Sequence, residues 1–260
     1  MKAKTGKAIG LIGNDAEAVT IAARLAQDGW RVLHHITGVA YKPERSANLE
    51  AAATPADIAI ECTIVLIAID DTALVRKILF GTPERLGMLA EMTPGTVLID
   101  LGVRRPREAQ GLLGVTGTRG VAIVDAALVG SVEATRNGTA MVLLGGYPDS
   151  ADIAEPILAS LGRVERTGLL GSAQTAAALM GYVEVAHNTA RSEALTFGAA
   201  LGLSGATLDR FLKDKGEPSN VVRLHARADL ACKLTQERGI TADVIDLRRV
   251  KSPAGPADNR

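Results

Sequence analysis

The chain has few aromatic residues and no excess of charge of either sign. Aromatic side chains make up 3% of its 260 residues, and 29 Lys and Arg balance 29 Asp and Glu. Proteins that bind nucleic acid commonly have a basic surface and aromatic platforms on which bases stack. This composition therefore argues against a nucleic-acid partner. The apolar fraction of 47% indicates instead a large core built from Ala, Val, Leu and Ile.

Cysteine is scarce, and long apolar runs are missing. Cys62 and Cys232 have neither metal-ligand spacing nor the pattern of a disulfide framework, and Cys62 stands in an apolar stretch typical of an inert core residue. No uninterrupted apolar run approaches the roughly 18 residues of a membrane span. The apolar stretch near the start is interrupted at Asn14 and Asp15, which makes it too short for a signal peptide. We therefore predict a cytoplasmic protein with no membrane span and no bound metal.

Short β-branched runs alternate with helical patterns from residue 8 to residue 144. Several of these runs are apolar throughout, as in parallel strands that helices cover on both faces. Thr54, Pro55 and Asp57 form a typical helix start, with a Thr cap, Pro at the first position and an acid in the first turn. The predicted strands are Ala8–Ile12, Arg31–His35, Ile64–Ile69, Val97–Asp100, Val121–Val124 and Ala140–Leu144, and the predicted helices between them are Ala16–Gln27, Ala47–Ala52, one after Pro55, and Thr72–Phe80.

This order of elements predicts a Rossmann-type α/β domain with a doubly wound, mostly parallel sheet. After Gly146 the pattern becomes helical, with Val164–Arg166 as a last strand, so an all-helical C-terminal domain is expected. The predicted boundaries are residues 1–166 for the first domain, 167–250 for the second and 251–260 for a disordered tail. The predicted helices in this part are Ser150–Leu161, Ala173–Leu201 with Ser172 as its cap, Ala206–Lys213 and Ser219–Arg238.

The loop after the first predicted strand has the setting of a dinucleotide site. In such sites a glycine-rich turn joins a strand to a helix, and the pyrophosphate lies at the helix N-terminus. Gly13 is the one fingerprint glycine present, with Asp15 at the second position and Ala18 at the third. Ala18 is small enough, whereas the carboxylate of Asp15 repels a pyrophosphate and its Cβ hinders close approach. Two interpretations stay open, a dinucleotide site and an ordinary strand–helix turn.

The end of the second predicted strand gives no preference between NAD and NADP. The segment from His34 to Thr37 has neither the acid that binds the ribose of NAD nor the Arg that accepts the extra phosphate of NADP. Lys42 and Arg45 in the following loop could meet a phosphate or be solvated loop charges. No third ligand accompanies His34 and His35, so we expect no metal there.

Three further segments are informative together. They are Asp125–Ser131 followed by Gly138-Thr139, Thr54–Asp71, and Gly168–Gln174 running on to Glu193. They resemble the β-hydroxyacid dehydrogenase family, which includes 3-hydroxyisobutyrate dehydrogenase and relatives of 6-phosphogluconate dehydrogenase. The first is similar to the family's substrate-binding segment, the second to the stretch that ends in Leu-Pro-Asp, and the third to the linker and long helix.

The resemblance spans roughly residues 7 to 240. It implies an NAD(P)-binding first domain, a helical domain for substrate and dimerisation, a small-molecule substrate and a homodimer. It also implies a set of ligand-binding positions. These are Gly13, Asn14, Asp15, Ala16, Ile36, Thr37, Ala68, Ile69, Asp70 and Val103 for the cofactor, and Val129, Gly130, Ser131, Ala177 and Gly181 for the substrate.

Several positions depart from the family's pattern. In ungapped register Ala177 stands at the catalytic lysine, Gly181 at the assisting asparagine and Val129 at the substrate-binding serine. No lysine occurs from residue 151 to residue 212, so a small shift of register restores none. Three more replacements follow from the same register: Asp70 for the Pro of Leu-Pro, Val103 for the Thr that lines the nicotinamide, and Ala228 for a second lysine.

These departures leave the catalytic residues unknown. Hydride transfer at a carbinol carbon needs a proton donor or acceptor at the oxygen, and Ala177 supplies neither. Glu184 and Tyr182, on or beside the same helix face, are candidate substitutes, although helix–helix or dimer contacts explain them as well. The run Arg104–Arg107 could bind an anionic group at the carboxyl end of a strand, or be a solvated loop that opens a helix.

Three functions are compatible with the sequence. The first is an NAD(P)-dependent oxidoreductase of the β-hydroxyacid dehydrogenase type with a non-standard proton relay. The second is a non-catalytic relative that binds a small ligand or a partner protein. The third is a non-redox lyase or isomerase that reuses the cleft between the domains. The fold resemblance favours the first, and the replaced ligand-binding positions favour the second.

Overall fold

The computed structural model describes residues 8–37 and 47–213. Its helices and strands follow one another as β1 (Ile9–Gly13), α1 (Ala16–Gln27), β2 (Val32–Ile36), β3 (Leu49–Ala51), α2 (Pro55–Glu61), β4 (Ile64–Ala68), α3 (Thr72–Phe80), β5 (Gly81–Thr82), β6 (Arg85–Leu86), β7 (Val97–Asp100), α4 (Pro106–Thr116), β8 (Ala122–Val129), α5 (Val132–Asn137), β9 (Ala140–Gly145), α6 (Pro148–Leu158), β10 (Gly162–Gly168), α7 (Ser172–Ala200) and α8 (Gly205–Lys213).

Eight of these strands form one sheet in the order β10-β9-β8-β7-β4-β1-β2-β3. All neighbouring pairs are parallel except β8 and β9. The chain leaves β1 toward β2 on one side and returns to β4 on the other, so the order reverses between β1 and β4. Such a switch point opens a crevice at the carboxyl ends of the strands. The prediction of a doubly wound, mostly parallel sheet is confirmed.

The strands are apolar on both faces because helices cover the sheet on both sides. Ile9 and Leu11 of β1 belong to a buried cluster that includes Leu25 of α1. Ile12 belongs to a second cluster, which includes Ile58 of α2. Cys62 is also in the second cluster, and burial raises the pKa of its thiol to about 11. Cys62 is therefore a core residue with little thiolate at neutral pH.

The segment 47–52 has a different secondary structure from the predicted one. A helix was predicted over Ala47–Ala52, but Leu49–Ala51 is the edge strand β3 and pairs in parallel with β2. The side chain of Arg31 donates two hydrogen bonds of 2.9 Å to the carboxylate of Glu50. A strand this short has too few residues for a readable period, and a partner distant in sequence fixes its conformation.

The chain divides into two units, Met1–Leu179 and Met180–Arg260. The division falls within α7, and the described part of the second unit, residues 180–213, contains helix and turn. The predicted boundaries at residues 166 and 250 stay predictions. Among the described helices, none combines the length and the apolar character needed to cross a membrane. The predicted helix Ser219–Arg238 and the tail 251–260 lie outside the described residues.

Candidate functional site

A cavity of about 240 Å³ lies in the first unit at the carboxyl ends of β1, β4 and β7. This is the edge of the sheet at which doubly wound proteins bind their ligands. The wall continues across β8 to the first turns of α7. The lining residues are Asp15, Glu17, Ile21, Ala68, Asp70, Leu101, Val103, Arg104, Ala127, Leu128, Gln174, Ala177 and Ala178.

Close packing between strand and helix fixes the loop beside this cavity. A Cβ added to Gly13 would lie 2.1 Å from the Cβ of Ala18, so a side chain at residue 13 is excluded. The backbone N–H of Thr37, after β2, donates to the carbonyl oxygen of Gly13 at 3.0 Å. Gly13 and Ala18 therefore perform the packing task of the first and third fingerprint glycines.

Asp15 caps α1 at the cavity. Its carboxylate Oδ1 accepts a hydrogen bond of 2.9 Å from the backbone N–H of Ala18. The first turn of a helix leaves N–H groups, here those of Ala16 and Glu17, without an intrahelical acceptor. The backbone thus suits a phosphate group, while the Asp15 carboxylate places a negative charge at the same helix end.

Two more carboxylates line the cavity. Asp70 follows β4, and its Oδ1 accepts from the backbone N–H of Val103 at 2.8 Å. Glu17 lies in the first turn of α1, where its side chain is exposed at the cavity. Partial desolvation of its carboxyl raises the pKa of Glu17, and the negative charges of Asp15 and Asp70 raise it further. The charges of Asp15 and Asp70 therefore act on Glu17 in this cavity.

Arg104 is buried in the cavity wall, and its charge is compensated. Its Nε lies 2.6 Å from Oδ2 of Asp100, and both side chains are at most 5% exposed. Its other nitrogens donate to the carbonyl oxygens of Ile69 and Asp70 and to the hydroxyl of Thr72. Arg104 thus ties the end of β4 to the end of β7. It is not part of a solvated loop, and its hydrogen-bonding groups are already engaged.

Asp125 fixes the far wall. It is fully buried at the end of the parallel part of β8, and its two oxygens accept from the backbone N–H groups of Gly171 at 2.7 Å and Gln174 at 3.0 Å. The Gln174 amide donates to the carbonyl oxygen of Ala126 at 2.9 Å. These bonds hold the start of α7 against β8, which places Ala177 and Ala178 on the cavity wall.

The structure brings some of the predicted ligand-binding residues to this cavity. Asp15, Ala68, Asp70 and Val103 from the predicted cofactor set line it, as does Ala177 from the substrate set. Asn14 and Ala16 flank Asp15 in the loop, Ile36 ends β2, and Ile69 is buried after β4. Their assignment as ligand contacts stays a prediction.

Other predicted residues have different surroundings. The hydroxyl of Ser131 accepts from the N–H of Ala134 and caps α5, directly after Val129 and Gly130. Gly181, Tyr182 and Glu184 are exposed residues of the second unit. Their roles toward a ligand stay predictions. Lys42, Arg45 and Ala228 lie outside the described residues.

Sequence reasoning missed part of the cavity wall. Glu17 immediately follows the loop, but the fingerprint extends over the glycine positions only and gives no signal for it. Leu101, Ala127 and Leu128 belong to buried strands or their ends, where an apolar pattern predicts core. Only the bend of the chain after β7 and the pairing of β8 bring them to the cavity.

Comparisons with known proteins identify relatives. Residues 8–176 match the model of the NAD-binding domain of 6-phosphogluconate dehydrogenase. The chain is 25% identical over 217 residues to an Arabidopsis thaliana protein described as a probable 3-hydroxyisobutyrate dehydrogenase-like 3, mitochondrial. The matched region covers 83% of this chain and 66% of that protein. It is 24% identical over 206 residues to mitochondrial 3-hydroxyisobutyrate dehydrogenase of Homo sapiens, over 78% of this chain and 60% of that protein. The chain thus spans less than two thirds of the length of either relative.

A solved structure is similar over most of the chain. An imine reductase variant from Myxococcus stipitatus in complex with NAD+ superposes with a TM-score of 0.76 at 16% identity, over 94% of this chain and 91% of that one. At this level of identity the similarity concerns the fold.

A ligand cavity at the switch point of a doubly wound sheet, beside a tight glycine turn, defines a dinucleotide-binding Rossmann protein. The chain belongs to the family of the NAD-binding domain of 6-phosphogluconate dehydrogenase, because that model matches most of its length. The resemblance to β-hydroxyacid dehydrogenases is thereby confirmed, as is NAD or NADP as the class of cofactor.

Proposed function

We propose that this protein is an NAD(P)-dependent oxidoreductase of the β-hydroxyacid dehydrogenase type that acts on a small substrate without a lysine on α7. The supporting observation is the cavity that runs from the N-terminus of α1 to the first turns of α7. It combines the dinucleotide edge of the sheet with the segment at which the family resemblance places the substrate.

The backbone around Gly13 fits a dinucleotide, whereas the carboxylates beside it do not complement a pyrophosphate. When bound, the cofactor supplies the hydride chemistry, and the protein supplies position and surroundings. Gly13 permits close packing of α1 on β1 beside the cavity, and Asp70 holds the backbone of Val103 in place. The Gln174 side chain, fixed by Ala126, presents a polar group at the α7 end of the cavity.

The proton path is the second part of the proposal. Ala177 and Ala178 contribute only methyl groups to the cavity wall. The guanidinium of Arg104 is engaged in an ion pair with Asp100. Among the described lining residues, the other acid–base side chains are the carboxyl groups of Asp15, Glu17 and Asp70. The predicted donors Glu184 and Tyr182 lie in the second unit.

A second candidate function is a non-catalytic ligand- or partner-binding relative. The specific observation in its favour is the set of three carboxylates, Asp15, Glu17 and Asp70, in the cavity that a dinucleotide would occupy. Like charges at a pyrophosphate weaken binding. This candidate predicts a folded protein that binds a nicotinamide dinucleotide weakly and catalyses no hydride transfer.

We include two further features in the proposal. One is a homodimer, for which the exposed apolar side chains of α7 provide support. The other is a cytoplasmic location, with which the free, buried thiol of Cys62 is compatible.

Isothermal titration with NAD+, NADH, NADP+ and NADPH tests the proposed function. We expect saturable binding of at least one pair, followed by hydride transfer to or from members of a panel of hydroxy acids, carbonyl compounds and imines. If none of the four dinucleotides binds at millimolar concentration, the oxidoreductase proposal is wrong and the non-catalytic candidate replaces it.

A further inference from the structure

We infer that a groove at the amino edge of the sheet binds a small amphipathic carboxylic acid, with an apolar body and an ionised head. This groove is separate from the candidate functional site, and the inference does not depend on the proposed function. It rests on the apolar walls of the groove, on two arginines beside it and on the closely packed backbone that holds them.

The groove has a volume of about 290 Å³ and lies between the last turns of α3 and α4 and the hairpin β5–β6. Helices α3 and α4 return along the sheet from the carboxyl ends of β4 and β7, so their last residues lie at the amino edge. This is the edge opposite the candidate functional site. We call it the amino-edge groove; its walls include Leu79, Phe80, Leu86, Leu89, Val115 and Arg119.

Apolar side chains form most of the walls. Leu79 and Leu89 belong to the buried core cluster on this face of the sheet. Leu86 and Val115, by contrast, are 80% and 40% exposed. A ligand that covers these two side chains removes apolar surface from water, which favours binding in proportion to the area covered. Sites for small molecules are typically of this kind, apolar with a few polar groups that orient the ligand.

Two glycines pack the hairpin β5–β6 closely against the end of α3. A Cβ added to Gly87 would lie 2.3 Å from the carbonyl oxygen of Leu79, and one added to Gly81 would lie 2.1 Å from that of Arg85. Gly81 also has a φ of +86°, in the left-handed region that favours glycine. The exposed side chain of Leu86 is therefore carried by a backbone with little freedom to turn it away from the groove.

Arg119 and Arg76 give the groove its charge. Nη2 of Arg119 donates to the carbonyl oxygen of Ala90 at 3.0 Å, which holds the guanidinium at the groove. The guanidinium carbon of Arg76 lies 5.2 Å from the centre of the Phe80 ring, which is part of the wall. Within residues 8–37 and 47–213, neither arginine has a carboxylate within ion-pair distance, in contrast to Arg104.

The carbonyl groups at the two helix ends do not cancel this charge. A helix C-terminus carries about half a negative charge, which resides on carbonyl groups without a partner. The carbonyl oxygen of Lys77 in α3 accepts from the N–H of Gly81, and that of Val115 in α4 accepts from the hydroxyl of Thr118 at 2.7 Å. Both helix ends are therefore partly satisfied by the protein itself.

The charge and the size of the groove define the ligand. The acids of the adjoining segments, Glu84 and Glu91, are matched in number by Lys77 and Arg85, so the two groove arginines leave a net positive charge. A guanidinium binds a carboxylate through charge-assisted hydrogen bonds. The volume of about 290 Å³ corresponds to roughly ten water molecules at about 30 Å³ each. A straight-chain acid such as octanoate has this size, and octanoate is therefore the probe.

The experiment compares three ligands by titration calorimetry and by NMR of methyl groups. They are octanoate, octan-1-ol, which has the same chain without the charge, and acetate, which has the charge without the chain. The proteins are the wild type, Arg119→Gln and Leu86→Ser. Arg107→Gln is the matched control, because it removes the same charge from an exposed position in the first turn of α4, at the other end of that helix.

We expect saturable binding of octanoate that shifts the methyl resonances of Leu86 and Val115 and leaves those of Leu128, at the candidate functional site, unchanged. Octanoate should bind about threefold to fivefold more tightly than octan-1-ol, the order expected for an exposed ion pair. Acetate should not saturate at millimolar concentration, because it covers little of the apolar wall.

The variants separate the two parts of the site. Arg119→Gln should remove the preference for octanoate without changing the binding of octan-1-ol. Leu86→Ser should weaken both ligands about fivefold to tenfold, because it removes apolar area from the wall. Arg107→Gln should match the wild type with every ligand. Both groove side chains are exposed, so we expect native melting temperatures.

Three results would overturn the inference. They are equal affinity of the wild type for octanoate and octan-1-ol, an undiminished preference in Arg119→Gln, and shifts at Leu128 in place of those at the groove. Self-association of the wild type that Leu86→Ser abolishes would also overturn it, since a second copy of the chain would then occupy the groove. If a variant fails to fold, the comparison of ligands on the wild type decides. The dinucleotide titrations that test the proposed function are independent of all these results.

Discussion

At the scale of single residues, Asp15 has two opposing effects on the same loop. Its carboxylate stabilises α1 by accepting from the N–H of Ala18 at 2.9 Å. The same carboxylate opposes a pyrophosphate at the helix N-terminus. The two effects can be separated because a serine side chain also caps helices but carries no charge.

We predict that Asp15→Ser binds dinucleotide about fivefold more tightly than the wild type with little change in stability. Asp15→Ala should gain a similar factor in affinity but lose about 1 kcal/mol of stability, because it removes the cap as well as the charge. Titration calorimetry and urea denaturation measure the two quantities. Unchanged affinity in both variants would show that the loop does not contact the pyrophosphate.

At the residue scale, the raised pKa of Glu17 predicts that the affinity for a dinucleotide depends on pH. Burial, then the charges of Asp15 and Asp70, raise its pKa above the usual value for a glutamate. As pH falls through this raised pKa, Glu17 becomes neutral and repels the pyrophosphate less. We therefore predict that affinity for NAD+ increases as pH falls through the raised pKa of Glu17, with uptake of protons on binding.

Glu17→Gln should flatten this pH profile, because the group that takes up the proton is gone. The exposed acid Glu84, changed to Gln, should leave the profile as in the wild type. Calorimetry in two buffers of different ionisation enthalpy counts the protons directly. Release of protons on binding at low pH would contradict the prediction.

At the scale of elements, the position of α7 depends on one buried carboxylate. Asp125 accepts from the N–H groups of Gly171 and Gln174 at the start of this helix, and it is fully buried. A negative charge at a helix N-terminus is stabilised by the helix dipole as well as by the hydrogen bonds. The hydrogen bonds to Asp125 of β8 therefore fix the position of α7 at the cavity.

We predict that Asp125→Ala lowers the free energy of unfolding by about 3 kcal/mol, because it leaves two buried donors without their acceptor. Hydrogen exchange at the amides of Gly171 and Gln174 should accelerate. As a control, Asp57→Ala removes the capping box of the shorter helix α2 and should cost about 1 kcal/mol without affecting those two amides. Unaltered exchange in Asp125→Ala would mean that α7 is held by other contacts.

The elements differ in how well the sequence predicts them. The helix Thr72–Phe80 was predicted with the bounds observed, because its start, apolar period and closing glycine are all local signals. Strand β3 was not, because its conformation depends on pairing with β2. Likewise the Arg104–Asp100 pair was missed. The two residues are only four positions apart. The orientation of the Arg104 side chain, however, depends on its hydrogen bonds to carbonyl oxygens at the end of β4, which is distant in sequence.

The same distinction applies to the cavity. Gly13, Asp15 and Ala18 are readable because the fingerprint is a local pattern, and Asp70 is readable through the family register. The meeting of Glu17 with Asp70 depends on the adjacency of β1 and β4, which periodicity alone does not give. The net charge of zero for the whole chain also conceals this concentration of negative charge in one place.

At the scale of the whole molecule, the exposed apolar residues of α7 predict self-association. Met180, Tyr182, Val183 and Val185 are between 38% and 74% exposed. Several exposed apolar side chains within one helix are typical of an association site. Since these residues lie on one continuous helix, a second copy of the chain could cover them by packing α7 against α7.

We predict that Val183→Glu dissociates a homodimer or weakens it at least tenfold, because a buried charge without a partner opposes association. Sedimentation equilibrium of wild type and variant over a range of concentrations measures this. Asn188→Glu, which adds the same charge at an exposed polar position of α7, is the control and should reduce association less. A wild type that is monomeric at 100 µM would refute the dimer. The exposed apolar residues of α7 would then require another covering.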